Sequence, residues 1–176
     1  TLTDHTHLRD FPNLRELCLH VQKIPPKLNI TNLHRLHRLC ITECGLVTMS
    51  GITGCYALQH LDLSMNKIPR IDAAVLKQMG ELRSIWLNEN LIRRIEGMEP
   101  LAKLASLWLG RNQITGVEHS LDANANLEDL NLAGNQIGND GLKSLSTALA
   151  SGALPQLERL GCGPQLAHGH DVQGYM

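Results

Sequence analysis

Residues 104–117 read LASLWLGRNQITGV, with leucine at 104, 107 and 109, asparagine at 112 and isoleucine at 114. The spacing L-x-x-L-x-L-x-x-N-x-I recurs as Leu58, Leu61, Leu63, Asn66, Ile68, and as Leu82, Ile85, Leu87, Asn90, Ile92. It recurs again as Leu127, Leu130, Leu132, Asn135, Ile137. Weaker copies stand before these (Leu14, Leu17, Leu19, Gln22, Ile24 and Leu36, Leu39, Ile41, Cys44, Leu46), and a damaged one follows (Leu157, Leu160, Cys162). The first leucines lie at 14, 36, 58, 82, 104, 127 and 157, at intervals of 22, 22, 24, 22, 23 and 30. A period of this length marks a stacked-repeat architecture, in which each unit buries its apolar face only against its neighbours.

Within each unit the L-x-L step has period two, so it predicts a short strand with its leucines on one face. Stacked strands then form one parallel sheet. An asparagine after the strand can turn the chain, because its amide both donates to and accepts from backbone groups that lack a strand partner. Asn66, Asn90, Asn112 and Asn135 are expected to form such a ladder, with Cys44 as a tolerated substitute and Gln22 marking a looser first repeat. The segments after the asparagines repeat apolar residues about every three positions (Ile68, Ile71, Leu76, Met79; Ile92, Ile95, Met98, Leu101), which suits 3-10 or irregular turns. The long last interval differs. Leu142, Leu145, Ala148 and Leu149 follow Asn139 and Asp140, predicting an amphipathic helix over 140–151 with an Asn or Asp cap and an end near Ser151–Gly152.

Composition narrows the classes of function. Net charge is -1 over 176 residues, which gives no basic surface for nucleic acid or an anionic membrane. No apolar run approaches the roughly 20 residues of a membrane-spanning helix. Five cysteines, an odd number without flanking disulfide-cap spacing, point to a reducing compartment. The sequon Asn29-Ile30-Thr31 is then a chance match, and no charged-then-apolar leader opens the sequence. The cytoplasm is the expected location, with the cilium and nucleus as alternatives. No phosphate-cradling G-x-x-x-x-G-K and no nucleophile, base and orienter at motif spacing are present, so no enzyme, cofactor or small-molecule substrate is expected.

The repeats around Leu104–Val117 resemble the short-repeat subclass of leucine-rich-repeat proteins, typified by the leucine-rich regulatory subunit of protein phosphatase 1. Residues 135–157 (NQIGNDGLKSLSTALASGALPQL) resemble the longer, helix-bearing ribonuclease-inhibitor subclass. The resemblance implies an α/β solenoid with a curved parallel sheet on its concave face, and a non-catalytic role as a protein-binding scaffold or regulatory subunit. Alternatives are a structural segment of a larger ciliary, cytoskeletal or signalling protein, or a subunit of an RNA-processing complex acting through protein contacts. Residues 1–162 are expected to form six to seven repeats of a longer array, and 163–176 a disordered tail. His168, His170 and Asp171 on that tail lack the fixed second half of a metal site, and no metal site is expected.

Strand geometry assigns the exposed concave positions. The position between the second and third leucines reads Cys18, Cys40, Asp62, Trp86, Trp108, Asn131, so the chain's two tryptophans occupy the same place on adjacent strands. The position before the second leucine reads Glu16, Arg38, His60, Ser84, Ser106, Asp129, and the one two beyond the third reads Val21, Glu43, Met65, Glu89, Arg111, Gly134. An aromatic centre with a mixed charged rim suits a protein partner. Trp86 and Trp108 are the expected centre, with Arg83, Glu89, Arg111, Asp62, His60 and Arg38 around it. The competing reading is that the two rings stack on each other and serve the sheet alone. Lys67, Arg70, Arg93 and Arg94 gather on the loop edge as a solvated face or a secondary acidic contact. Cys18 and Cys40 would be strand neighbours close enough for a disulfide, expected here as free thiols, while Cys44 and Cys55 read as core.

Overall fold

The computed structural model describes residue 8 and residues 11–24, 28–31 and 33–164. Seven parallel strands form one sheet in chain order: β1 (Glu16–His20), β2 (Arg38–Thr42), β3 (His60–Asp62), β4 (Ser84–Trp86), β5 (Ser106–Trp108), β6 (Asp129–Asn131) and β7 (Arg159–Gly161). Leu17, Leu39, Leu61, Ile85, Leu107, Leu130 and Leu160 fall in one line across all seven strands. From Leu39 to Leu130 these residues are fully buried, whereas Leu17 is half-buried and Leu160 exposed, since an end strand has one neighbour rather than two. β1 and β2 span both the second and third leucines, but β3 to β7 are three residues long and centred on the second leucine alone.

The third leucine closes the interior, and the chain then turns by a device that the period does not reveal. Val21, Glu43, Met65, Glu89 and Arg111 all take left-handed backbone, with φ between 49 and 59°, and Gly134 joins them at 69°. These positions lie past the ends of the strands. Their N–H groups hold the inter-repeat ladder nonetheless, donating to the carbonyls of Thr42, Ser64, Asn88, Gly110, Ala133 and Pro164 in turn. A left-handed non-glycine residue costs roughly 1–2 kcal/mol, so the ladder bond offsets local strain at five places. Val21, β-branched and well exposed, is the least suited of the five. Val21→Gly should therefore raise the stability by about 0.5–1 kcal/mol after the extra chain entropy of glycine is deducted. A urea midpoint that falls on substitution would contradict this account.

Behind the left-handed residue sits the asparagine ladder. Asn90 Oδ1 accepts from the N–H of Ile68 at 3.0 Å, and its Nδ2 donates to the carbonyls of Leu63 (2.9 Å) and Leu87 (3.2 Å). Asn112 repeats this one unit on, accepting from Ile92 and donating to Leu87 and Leu109. Asn66 and Asn135 bond in the same way to backbone of their own and the preceding repeat. Cys44 reaches the equivalent carbonyls through its thiol, Thr42 at 3.2 Å and Leu19 at 3.6 Å. At Gln22 the longer side chain misses: its Oε1 is buried without a hydrogen-bond partner.

The convex side is built from short turns, as the three-residue rhythm implied. They include 3-10 turns at Ser50–Ile52 and Glu118–Leu121 and one α-helical turn, α1 (Ala73–Leu76), capped by Asp72 Oδ1 accepting from the N–H groups of Ala74 and Val75. The twelve-residue helix α2 (Asn139–Ala150) fills the long interval. Its cap departs from expectation: Gly138 is the N-cap, and no side chain bonds there, because Asn139 and Asp140 already lie inside the first turn. Of its apolar positions only Leu145 is buried, with Leu142 and Leu149 exposed.

Among the described residues, Asn124 is the one buried polar residue outside the ladder, and the repeat pattern misses it. It occupies the interior column otherwise held by Leu33, Cys55, Met79, Leu101 and Leu154. Its Nδ2 donates to the carbonyls of Met98 and Leu101, but its Oδ1 has no partner. Both carbonyls also accept a backbone N–H, from Leu101 and Leu104. Asn124→Leu should consequently stabilise the protein by roughly 1 kcal/mol, since it removes a desolvated acceptor and orphans no donor. Thermal unfolding of the variant checks this, and a lowered Tm would show that the two amide bonds outweigh the orphan.

Candidate protein-binding face

In β3 to β6 the central side chain is buried, and its two neighbours face the concave side. Backbone pairing puts Asp62, Trp86, Trp108 and Asn131 opposite one another, and likewise His60, Ser84, Ser106 and Asp129. The tryptophans thus stand on the concave face because alternation puts them there, on strands whose centres, Ile85 and Leu107, anchor the sheet.

Trp86 does not use Trp108 as its ring partner. It stacks on His60 from the preceding strand, with ring centroids 6.4 Å apart and planes 24° from parallel. Trp86 is half-buried by this contact, and Trp108 is left 36% exposed. Burial, together with the charges of Arg38 and Arg83 and against the opposing charge of Glu16, shifts His60 below its ordinary 6.5, toward the neutral ring.

Two shallow grooves meet at Trp108. The first, of about 390 Å3, is lined by Arg38, Cys40, His60, Asp62, Trp86 and Trp108. His60 and Asp62 thus line a groove beside the tryptophans. The second, of about 510 Å3, is lined by Trp108, Glu89, Arg111, Asn131 and Pro164. Glu89 and Arg111 form an exposed ion pair at 3.4 Å, worth little to stability and easily exchanged for a partner's charges. Arg83 lines neither groove; its charge is felt at His60 and Glu81. At the far end Arg159 pairs with Asp129 at 3.2 Å.

Some side chains on this face were not singled out from the sequence. Asn88 accepts the N–H of Gly110 at 2.9 Å and, with Ser64, lines the first groove. Asp62 Oδ1 accepts the N–H of Ser64 at 2.9 Å, as Asn131 Oδ1 does that of Ala133 at 3.0 Å. These Asx turns fix the carboxylate and amide at the strand ends.

Comparison with known proteins agrees with the fold. The family model described as leucine-rich repeat matches residues 123–146. An internalin from Listeria monocytogenes superposes with a TM-score of 0.77 at 23% identity, over 97% of this chain and 47% of its own. A leucine-rich-repeat protein of Leptospira interrogans gives 0.74 at 27% identity, over 86% and 38%. TLR13, in its complex with the single-stranded RNA ssRNA13, gives 0.73 at 22% identity, over 96% and 24%. The chain folds as a leucine-rich-repeat solenoid. It spans less than half the length of each of these structures. No curated protein matches it in sequence.

The leucine-rich-repeat frame also places the remaining candidates. Lys67, Arg70, Arg93 and Arg94 are exposed on the loop edge, where Arg93 Nε donates to Gln113 at 3.2 Å and Arg94 lines a separate groove with Glu99 and His119. No helix among the described residues is long and apolar enough to cross a membrane. Cys44 and Cys55 are core residues, and Cys18 and Cys40 stand opposite each other on β1 and β2 as free thiols. Residues 168–171 lie outside the described part. Within it, one grouping of metal-ligating side chains exists, Cys18, His20 and Cys40. Burial first, then the neighbouring Asp62 and Cys18, pushes the Cys40 thiol up to about 12.

Proposed function

We propose that this leucine-rich-repeat solenoid is a non-catalytic scaffold or regulatory subunit that holds a partner protein on its concave face, with Trp86 and Trp108 at the centre. One observation carries the reading: the chain's two tryptophans are register partners on adjacent strands of the concave sheet, bordered by grooves with charges of both signs. Solenoid curvature creates extended binding surfaces of this kind, and tryptophan and arginine are the residues most enriched at interface hot spots. Arg38, His60 and Asp62 on one side and Glu89 and Arg111 on the other form the rim, with Arg83 beyond it.

TLR13 carries an RNA, but here Asp62, Glu89 and Asp129 lie among the concave-face charges, which disfavours a phosphate backbone. An enzymatic thiol is disfavoured too. A nucleophilic cysteine needs a lowered pKa, and that of Cys40 is raised. Free cysteines fit work in a reducing compartment such as the cytoplasm.

Fluorescence excited selectively at tryptophan tests the proposal directly, since Trp86 and Trp108 are the chain's two tryptophans; a partner without tryptophan, or the difference from the partner's own emission, isolates their signal. A partner captured by affinity and then purified should shift the emission to shorter wavelength in a saturable titration. Binding that leaves the emission unchanged would place the partner elsewhere, with the Arg93–Arg94 edge next in line.

A further inference from the structure

We propose that Cys18, His20 and Cys40, with Asp62 as the fourth ligand, bind one Zn2+ ion at the β1–β3 end of the concave face. The ligand atoms of Cys18, His20 and Cys40 all lie within 4.8 Å of one another. Cys40 Sγ stands 3.8 Å from His20 Nε2 and 3.8 Å from Asp62 Oδ2. In a tetrahedral zinc site with Zn–S near 2.3 Å and Zn–N or Zn–O near 2.0–2.1 Å, neighbouring ligand atoms are about 3.4–3.8 Å apart. Cys40 already stands close to that spacing from His20 and from Asp62, and Cys18 lies within 4.8 Å of both Cys40 and His20. Three strands in fixed register carry the four side chains, so that a small turn of the Asp62 carboxylate would close the shell.

The outer contacts are those a metal site requires. His20 Nδ1 is engaged by the Thr42 hydroxyl at 2.6 Å, which leaves Nε2 as the ligating nitrogen. Asp62 Oδ1 is engaged by the N–H of Ser64 at 2.9 Å, which leaves Oδ2 toward Cys40. Such contacts orient ligands and fix the imidazole tautomer. Two thiolates, an imidazole and a carboxylate select a borderline-soft divalent ion over a hard one. On binding, the two S–H bonds break, their protons pass to solvent, two Zn–S bonds form, and nitrogen and oxygen lone pairs complete the shell; no electron is transferred. The ion would lie beside Asp62 and Cys40 in the first groove, but its binding does not depend on any partner.

The test uses the full chain, reduced and freed of metal, titrated with zinc alone and separately with Co2+. One zinc per chain is expected, together with the thiolate-to-cobalt charge-transfer band and intense visible absorption of a four-coordinate site. Cys18→Ser/Cys40→Ser should abolish both, and Thr42→Val should weaken zinc binding by about 10–100-fold. His168→Ala/His170→Ala should bind as the parent does. Circular dichroism confirms that each variant is folded. Zinc binding that survives the double cysteine change overturns the proposal. So does a six-coordinate cobalt spectrum, or a Cys18–Cys40 disulfide that forms under mild oxidation equally fast with and without zinc.

Discussion

The Trp86→Ala/Trp108→Ala protein should keep its solenoid and lose its partner. Neither ring contributes to the interior, which is filled by Ile85, Leu87, Leu107 and Leu109 in these two repeats. The structural cost is the lost stack of Trp86 on His60, about 0.5–1.5 kcal/mol, together with the partial burial of the Trp86 ring. In binding, truncation of a central tryptophan costs on the order of 2 kcal/mol or more, roughly thirtyfold in Kd for each ring. Arg111→Ala and Glu89→Ala should act differently, changing the association rate and its salt dependence more than the affinity, because their ion pair is solvent-exposed. Calorimetry with the purified partner reads the affinities, and stopped-flow mixing at two salt concentrations reads the association rates. Unchanged affinity in the double variant would refute the concave-face reading, and a variant that unfolds would assign the rings to the sheet instead.

Asn90→Ala and Asn112→Ala should each destabilise the protein by about 1–3 kcal/mol, chiefly through the buried N–H of Ile68 or of Ile92, which loses its acceptor. The two changes should not be additive. Both amides donate to the carbonyl of Leu87, so either variant leaves it one side-chain donor and the double variant leaves it none. An excess of about 0.5 kcal/mol or more over the sum is expected. Gln22→Ala should cost clearly less, because Gln22 Oε1 already lacks a partner. Urea denaturation of the three single variants and the double variant measures each term. Losses well under 1 kcal/mol at both Asn90 and Asn112 would mean that water replaces the amide.

The repeat itself was legible because a solenoid converts a sequence interval into a spatial neighbour. Once Leu58, Leu82, Leu104 and Leu127 are aligned, the strand register, the buried column and the pairing of Trp86 with Trp108 follow from period two alone. The asparagine ladder follows as well, since one residue type recurs at the point where strand hydrogen bonding ends. His20 could have been read in the same way: it lies two positions past Cys18, hence on the same face of β1, opposite Thr42 of β2.

What only the tertiary structure decided are matters of sign and rotamer, which no period encodes. Alternation locates Glu89 and Arg111 after the strand but does not say that φ turns positive there; the ladder carbonyls of Gly110 and Ala133 impose that. Asn124 reads as one more polar loop residue until Met98 and Leu101 close over it. Trp86 could have stacked on Trp108, yet the ring turns to His60. The sulfur, nitrogen and carboxylate atoms of Cys40, His20 and Asp62 converge only because three strands set their backbones while Thr42 and Ser64 set their side chains. The sequence determines which residues are neighbours, and close packing of the stacked repeats determines which way each side chain points.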